Sequence, residues 1–183
     1  MKKSLCILGL ILFSVQSHAN QYALSDDSSS VKHAYLQQGT QEIGIQGSLD
    51  LDYVDDYLLD LNTSYGYFVR DKWEIGGELD LTISDNAQNY QIGAFTEYNF
   101  TNTSLWVPYL GVGAQYAYSD INDNSDSAFN FQVSAGMKYF LHPQIALAAE
   151  VNYNLATEDI YADGDGEAKD DKTQFLIGTR FYF

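Results

Sequence analysis

The sequence has 183 residues, a formal net charge of −16 and an aromatic content of 15%. Such an acidic balance argues against a nucleic-acid partner, because the neutralisation of phosphates requires Lys and Arg. The length suits a single domain, and the many Tyr, Phe and Gly residues beside only two prolines favour an all-β one.

Residues 1–19 have the pattern of a secretory signal peptide. Lys2 and Lys3 precede an apolar run over 5–13, and Ser17-His18-Ala19 places small residues where a signal peptidase cleaves. A membrane anchor is the alternative, but the run is about ten residues long, whereas a spanning helix needs roughly 20. Cleavage after Ala19 would move the formal charge from −16 to −18 and remove the one cysteine, which excludes disulfide and thiol chemistry from the mature chain.

Residues 20–39 are polar and rich in serine, with an acidic and serine run over 26–30. This composition predicts a flexible periplasmic lead-in to the domain that follows. A tether or a plug is the alternative function for this segment, and nothing in the composition supports it.

From residue 40 onward, apolar and polar residues alternate, as they do in strands whose two faces meet different surroundings. The pattern predicts eight strands, at 41–53, 57–69, 73–84, 89–100, 106–119, 128–141, 144–157 and 173–183. Strands of this length can cross an outer membrane when they are tilted. An open sheet edge ending in the three aromatics of 181–183 would invite aggregation. We therefore expect residues 40–183 to form a closed barrel whose last strand pairs with its first.

Apart from the first connection at 54–56, which is very short, the connections between these strands alternate in length, which predicts the orientation of the barrel. With the N-terminus in the periplasm, the longer connections at 85–88, 120–127 and 158–172 would lie outside the cell. The aromatic residues then form two belts at headgroup depth. The predicted inner belt is Tyr67, Trp73, Tyr98, Phe100, Trp106, Tyr139, Phe181 and Phe183, and the outer belt is Tyr53, Tyr57, Tyr90, Tyr118, Phe129 and Tyr153.

The sequence Pro-Tyr-Leu-Gly-Val-Gly-Ala-Gln-Tyr-Ala-Tyr-Ser-Asp at 108–120 resembles the small eight-stranded outer-membrane β-barrel proteins related to the OmpA transmembrane domain and the opacity proteins. The resemblance covers nearly all of residues 40–183. It implies an all-β fold, an eight-stranded antiparallel up-and-down transmembrane β-barrel, located in the cell outer membrane as a monomer. It also implies contacts with outer-membrane lipids and lipopolysaccharide.

The C-terminal residues resemble the signal at the end of bacterial outer-membrane barrels. Phe181 and Phe183 would form this signal, with apolar or aromatic residues at alternate positions before them. The resemblance implies that the barrel assembly machinery reads it, and that periplasmic chaperones accompany the chain during biogenesis.

A cluster of charged residues is predicted to point into the inner half of the barrel. Buried charges must be paired or hydrogen-bonded, because an unpaired one costs several kcal/mol. One interpretation is a packed polar core. The other is a gate in which Arg180 or Lys138 exchanges carboxylate partners, as the resemblance allows. Such a gate would make the barrel a narrow, cation-preferring channel, since carboxylates outnumber cations. The predicted cluster is Glu42, Glu74, Glu78, Glu97, Lys138, Glu150 and Arg180.

The acidic connection at 158–172 is a candidate for weak divalent-cation binding through Asp163, Asp165 and Glu167. It departs from the EF-hand template, because Ala168 stands in place of the glycine and Gln174 in place of the closing Glu. Residues 120–126 depart from the same template. We expect no cofactor and no specific metal site, and divalent ions could bridge these loops to lipopolysaccharide phosphates.

The mature chain offers no catalytic histidine, since His33 falls in the lead-in and His142 in a predicted turn. Hydrolases and acyltransferases with a histidine mechanism place that residue beside a nucleophile, so we predict that the protein is not an enzyme. A soluble lipocalin-like barrel is a further alternative, and the aromatic belts disfavour it. Two functions are left: a structural and surface-interaction barrel, or a narrow channel.

Overall fold

The computed structural model describes residues 35–53, 56–83, 87–101, 104–121, 124–162 and 168–183. The predicted signal peptide, residues 20–34 of the lead-in, and Asp163, Asp165 and Glu167 lie outside these ranges. Among the described residues there is no helix of the length and apolarity that crossing a membrane would require.

Ten strands make up the described secondary structure, and eight of them close into one antiparallel barrel in the order β1-β10-β7-β6-β5-β4-β3-β2. The other two, β8 and β9, form a small separate hairpin. The strands are β1 Gln41–Tyr53, β2 Asp56–Arg70, β3 Trp73–Ile83, β4 Ala87–Asn99, β5 Trp106–Ile121, β6 Asn124–His142, β7 Ile145–Ala156, β8 Tyr161–Ala162, β9 Ala168–Lys169 and β10 Asp171–Tyr182.

The barrel closes between its first and last strands, as the sequence predicts. β1 pairs with β10 from Glu42 opposite Tyr182 to Gly47 opposite Ile177. Over these residues, closure pairs the edge groups of both strands. We call the end that holds Gln41 and Tyr182 the inner end, and the opposite end the outer end.

The two faces of each strand differ in the way that the alternation predicts. In β7, Leu147, Val151 and Tyr153 are exposed, whereas the intervening Ala148, Glu150 and Asn152 are buried. Large apolar residues such as Ile92, Phe129 and Ile177 lie on the outside of the barrel. The polar face therefore lines the lumen, and the apolar face is the one that suits lipid.

The outer connections differ from the sequence prediction in extent. The ladder between β5 and β6 continues to Ile121 opposite Asn124, so most of the predicted connection at 120–127 is paired strand. Alternating Asp, Asn and Ser residues are compatible with an extended ladder as well as with a loop, and hydropathy does not separate the two. The predicted connection at 158–172 contains the β8-β9 hairpin, and β10 begins two residues before the predicted strand, at Asp171.

An apolar layer closes the inner end of the lumen. Leu36, from the last part of the predicted lead-in, packs there, and its carbonyl accepts a hydrogen bond of 2.8 Å from the Lys72 backbone N–H. Leu36 is thus packed in an apolar socket at the barrel mouth, within the segment 20–39 that the sequence predicts to be a flexible lead-in, whereas Gln37 and Gln38 are exposed. Gly39, at a φ of 96°, lets the chain turn from this contact into β1. The socket is Phe68, Val107, Phe140, Ala146 and Tyr182.

A second apolar cluster closes the outer end. Ile160 and Tyr161, which follow β7, are buried against Ala117, Ala128 and Ala156. The Ile160 carbonyl accepts hydrogen bonds from Ser119 Oγ at 3.0 Å and from Asn89 Nδ2 at 3.3 Å. The small alanine side chains leave the room that Ile160 and Tyr161 fill. This outer cluster covers the side of the lumen that is lined by β4 to β7.

Candidate functional site

The charged cluster lies just beyond the inner apolar layer and connects side chains from all eight barrel strands. Hydrogen bonds and ion pairs join most of its members directly, and the Glu74 contact is the longest. The eight residues, which we call the charge network, are Glu42 of β1, Ser64 of β2, Glu74 of β3, Glu97 of β4, Tyr109 of β5, Lys138 of β6, Glu150 of β7 and Arg180 of β10.

Lys138 organises one half of the charge network. Its Nζ lies 2.9 Å from Glu42 Oε2 and 2.5 Å from Glu97 Oε1, and its side chain is completely buried. The ammonium also lies 5.0 Å from the centre of the Tyr109 ring, within the range of a cation–π contact. These contacts offset the loss of water around a buried ammonium group.

Arg180 organises the other half. Nη1 donates to Glu42 Oε1 at 2.9 Å and to Ser64 Oγ at 3.0 Å, and Nη2 donates to Glu150 Oε2 at 3.2 Å. Because Glu42 accepts from both cations, it links the two halves. Gly44 leaves the space that the Arg180 side chain fills, since a Cβ at this position would overlap the guanidinium.

Glu74 differs from the other carboxylates of the charge network. It is fully buried, yet among the described residues neither of its oxygens has a hydrogen-bond partner. Its nearest cation, Lys138 Nζ, is 4.0 Å from Glu74 Oε2. The carboxylate lies against Gly66, where a Cβ would collide with it. Glu74 is therefore the least compensated carboxyl group of the charge network.

A layer of amide side chains fills the lumen between the charge network and the outer apolar cluster. Asn130 Nδ2 donates to Gln115 Oε1 at 2.6 Å, and to Gln91 Oε1 and Asn154 Oδ1 at 3.0 Å each. Gln115 in turn donates to Glu78 Oε1 at 2.9 Å. These bonds join β6 to β4, β5 and β7, and β5 to β3, so that they cross the middle of the lumen.

The predicted cluster of seven residues is therefore buried in the lumen, and the structure divides it in two. Six members belong to the charge network, while Glu78 belongs to the amide layer. Phe181 is exposed on the outside of the barrel, and Phe183 exchanges backbone hydrogen bonds with Gln41 at the inner rim. Their role as an assembly signal stays a prediction.

Two functional residues are absent from the sequence prediction. Tyr109 donates to Glu150, and its inward direction could have been inferred from its even spacing to Gly111 and Gly113. Lys172 Nζ lies 2.9 Å from Asp60 Oδ1 in the outer half of the lumen. Lys172 lies an even number of residues before Arg180, so the two side chains share one face of β10. This spacing could have shown that Lys172 faces the lumen. The sequence places Lys172 in the connection at 158–172, because β10 begins earlier than its apolar residues suggest.

The chemistry available to the charge network is electrostatic. Carboxylates, one ammonium and one guanidinium can bind or exchange cations and protons. The facing oxygens of Glu42, Glu74 and Glu97 lie within 4.8 Å of one another, close enough to share one ion. Among the described residues the one histidine is His142, which is the exposed last residue of β6 and not part of the turn in which the sequence places it.

The family comparison decides the identity of this fold. The model of the outer membrane protein beta-barrel domain family matches residues 6–183. The chain belongs to this family. This outer-membrane β-barrel protein is thus located in the cell outer membrane, with its apolar outer face against lipid.

Solved structures share the fold of this outer-membrane barrel. The N-terminal β-barrel domain of Pseudomonas aeruginosa OprF aligns with a TM-score of 0.62 and 18% identity, over 80% of this chain and 98% of that one. Neisserial surface protein A aligns with a TM-score of 0.57 and 18% identity, over 79% and 94% of the two chains. OprG from Pseudomonas aeruginosa aligns at 0.55 and 16% identity, over 80% and 97%. Comparison with curated protein sequences finds no match.

Proposed function

We propose that this outer-membrane barrel is a structural and surface-interaction protein whose interior is a packed polar core, and that it is not an enzyme. The observation that carries the proposal is a succession of buried side-chain layers along the lumen. Leu36 and its apolar socket lie at the inner end, the charge network and the amide layer follow, and Ile160 and Tyr161 cover the β4 to β7 side of the outer end. An eight-stranded barrel is narrow enough for side chains to fill.

The energetics of the charge network support a structural role. A buried ion pair whose remaining atoms are hydrogen-bonded fixes one arrangement of the groups that it joins, and breaking it costs about 3–5 kcal/mol. Here the pairs join strands that are far apart in sequence, such as β1 with β6 through Glu42 and Lys138. The network therefore favours one register of the closed barrel.

The exposed surfaces are the second part of the proposal. The apolar face meets outer-membrane lipids, and the acidic outer connections meet lipopolysaccharide through bridging divalent ions at Asp163, Asp165 and Glu167. The protein acts as a monomer, and Phe181 and Phe183 guide its insertion by the barrel assembly machinery after delivery by chaperones. If the acidic connection has this role, replacing those three carboxylates by amides should abolish the Ca²⁺-dependent association of the barrel with lipopolysaccharide vesicles.

A narrow, gated, cation-preferring channel is the second candidate function, and Glu74 is the observation that favours it. Lys138 has a second acceptor within reach, since Glu74 Oε2 lies only 4.0 Å from Nζ and has no hydrogen bond to any described residue. Movement of the ammonium from Glu97 towards Glu74 would rearrange the middle of the charge network. The excess of carboxylates over cations would then favour the passage of cations.

Single-channel conductance of the refolded mature protein in a planar bilayer separates the two functions. A packed core predicts a silent bilayer for the wild type while heat-dependent gel mobility shows a folded barrel. A gate predicts discrete cation-selective steps that change in Lys138→Ala and Arg180→Ala. Arg70→Ala, an exposed cation at the end of β2, is the matched control and should leave any steps unchanged.

A further inference from the structure

We propose that the outer part of the junction between β1 and β10 is a docking site for a basic, extended segment of another protein, which adds to the barrel sheet as a further strand. The site rests on the surface-interaction role proposed above and gives that role a surface and a kind of partner. Three observations carry it: a backbone ladder that ends early, the two faces of the strand beside it, and the exposed carboxylates around it.

The ladder between β1 and β10 is shorter than either strand. Among the described residues it ends at Gly47 opposite Ile177. β1 nevertheless continues outward as a strand paired with β2, and β10 begins earlier as a strand paired with β7. Residues 48–53 of β1 and 171–176 of β10 therefore each have one edge that is not paired with the other strand. We call these two edges the seam.

Free strand edges need partners. Each carries a row of backbone N–H and C=O groups, and such groups are costly near lipid because hydrocarbon offers no hydrogen bonds. The ladder of β5 and β6, by contrast, continues to Ile121 opposite Asn124 at the outer end. An extended peptide that adds to an edge supplies the missing main-chain hydrogen bonds and gains affinity from them. The seam is therefore suited to binding a strand.

Side chains connect the strands of the seam across the lumen. Lys172 Nζ of β10 lies 2.9 Å from Asp60 Oδ1 of β2, and Ser48 Oγ of β1 donates to Asp60 Oδ2 at 3.1 Å. These contacts link β10, β1 and β2 through long side chains that use none of the backbone groups of the seam. The edges of the seam thus stay available while the strands stay in the barrel.

The two faces of β10 define the character of the added strand. Phe175 is exposed on the outer face, whereas Lys172 and Gln174 are partly buried on the polar face. Side chains of neighbouring strands lie on the same two faces of a sheet. The added strand would therefore place apolar residues against lipid and polar residues towards the lumen, in alternation.

Exposed carboxylates define the sign of the charge on the partner. Glu158 and Asp159 follow β7, Asp170 and Asp171 stand where β10 begins, and all four are exposed. The two strand ends are neighbours in the β7-β10 pair. In these described stretches the exposed cation is Lys169. Negative charge in excess attracts a basic partner and repels an acidic one.

The probe is a synthetic peptide of alternating valine and lysine, with one valine replaced by a cysteine that is activated as a mixed disulfide. It is added to single-cysteine barrels in phosphatidylcholine vesicles, because the mature chain has no cysteine of its own after the predicted cleavage. Thr173→Cys places a thiol beside the seam. Tyr153→Cys is the matched control, since Tyr153 is exposed, opposite Thr173, and paired on both sides. We expect at least tenfold faster cross-linking with Thr173→Cys, after each rate is divided by that with a small maleimide.

Two further peptides separate strand addition from simple attraction. A peptide methylated on all its backbone nitrogens keeps its charge and loses its main-chain donors. A peptide of alternating valine and glutamate keeps the donors and reverses the charge. Each should cross-link to Thr173→Cys at least tenfold more slowly than the parent peptide.

Equal corrected rates for Thr173→Cys and Tyr153→Cys would overturn the docking site. Equal rates for the methylated peptide would overturn strand addition, and equal rates for the acidic peptide would overturn the basic partner. Cross-linking no faster than to vesicles without the site would mean that lipid or water satisfies the seam, which also overturns the proposal. Conductance and lipopolysaccharide binding do not enter these readouts, so failure of the docking site and failure of the proposed function are distinguishable.

Discussion

The hydroxyl of Tyr109 donates a hydrogen bond of 2.6 Å to Glu150 Oε2, and the side chain of Tyr109 passes over Gly136 to reach it. The three residues lie in one row of the barrel, because Tyr109 is opposite Gly136 in the β5-β6 pair and Gly136 is opposite Glu150 in the β6-β7 pair. A Cβ at Gly136 would overlap the Tyr109 ring. Because Gly136 has no side chain, the Tyr109 ring fits over it, and Tyr109 thereby connects β5 to the charge network.

We expect Gly136→Ala to lower the free energy of unfolding by about 1–3 kcal/mol, the usual cost of adding a methyl group to a filled core. Urea-induced unfolding of the refolded barrel, followed by tryptophan fluorescence, measures this loss. Gly77→Ala is the control, since the nearest atom to a Cβ there is the Gly93 carbonyl oxygen at 3.6 Å. Similar losses in the two variants would show that the Tyr109 contact is not the cause.

Loss of the Lys138 ammonium should strongly destabilise the barrel. Lys138→Met keeps the length of the side chain and removes its charge, which leaves Glu42 and Glu97 without the ammonium. We predict a loss of about 3–5 kcal/mol in the free energy of unfolding, as for other buried pairs broken on one side. Urea unfolding at neutral pH gives the value.

A second substitution separates the missing charge from the changed packing. In Lys138→Met with Glu97→Gln, the carboxylate that has lost its cation is neutral, while Glu42 keeps its contact with Arg180. We therefore expect the double variant to be more stable than Lys138→Met alone. A loss below about 1 kcal/mol in the single variant, the size of an exposed pair, would mean that water reaches Lys138 and that the core is not packed.

Much of this architecture follows from the alternation of residues between the two faces of each strand. Glu42, Lys138 and Arg180 lie on polar faces, and a closed, narrow barrel brings these faces together in its lumen. Local alternation is enough to predict this. The prediction therefore includes the charged residues of the lumen and the pairing of β1 with β10.

The parts that were not predicted depend on contacts outside the alternating segments. Leu36 and Ile160 lie where no strand periodicity exists, so that only the shapes of the two barrel mouths determine their burial. Which groups form hydrogen bonds depends on the stagger between neighbouring strands. Glu97, for example, is bonded to Lys138, whereas Glu74 is not. The alternation of residues along a strand shows which face a residue lies on and does not specify this stagger.

The pair formed by Lys172 and Asp60 should contribute less than the pairs of Lys138. Asp60 also accepts hydrogen bonds from Thr82 Oγ1 at 2.6 Å and from Ser48 Oγ at 3.1 Å, so that two donors stay when Lys172 is lost. The Lys172 side chain is 16% exposed, whereas that of Lys138 is fully buried.

We predict that Lys172→Met lowers the free energy of unfolding by about 1 kcal/mol, near the upper end of the values for partly exposed pairs. The same urea titration compares it with Lys138→Met. A loss as large as that of Lys138→Met would indicate that the outer half of the lumen is as dry as the inner half.

Leu36 should stabilise the barrel although it precedes the first strand. Leu36→Ala removes most of the side chain that fills the socket of Phe68, Val107 and Tyr182. Such truncations cost about 2–5 kcal/mol in well-packed sites. Gln37→Ala, an exposed neighbour in the same segment, should change the free energy of unfolding by less than about 0.5 kcal/mol. Equal, small effects of the two substitutions would mean that the segment is detached from the barrel in the membrane.

The outer cap can be tested by the reactivity of a cysteine placed beneath it, because the mature chain has no cysteine of its own after the predicted cleavage. Ser119 is buried and donates to the Ile160 carbonyl, so a cysteine at this position should react slowly with a water-soluble maleimide. Ile160→Asp places a charge against Ala117 and should favour the open form. We expect labelling to become at least about tenfold faster, which corresponds to about 1.4 kcal/mol in the opening equilibrium.

Ser127→Cys, at an exposed site, should label rapidly in both backgrounds. Rapid labelling of the Ser119→Cys barrel with Ile160 intact would mean that the outer end is open to water, and that the packed core begins only at the amide layer.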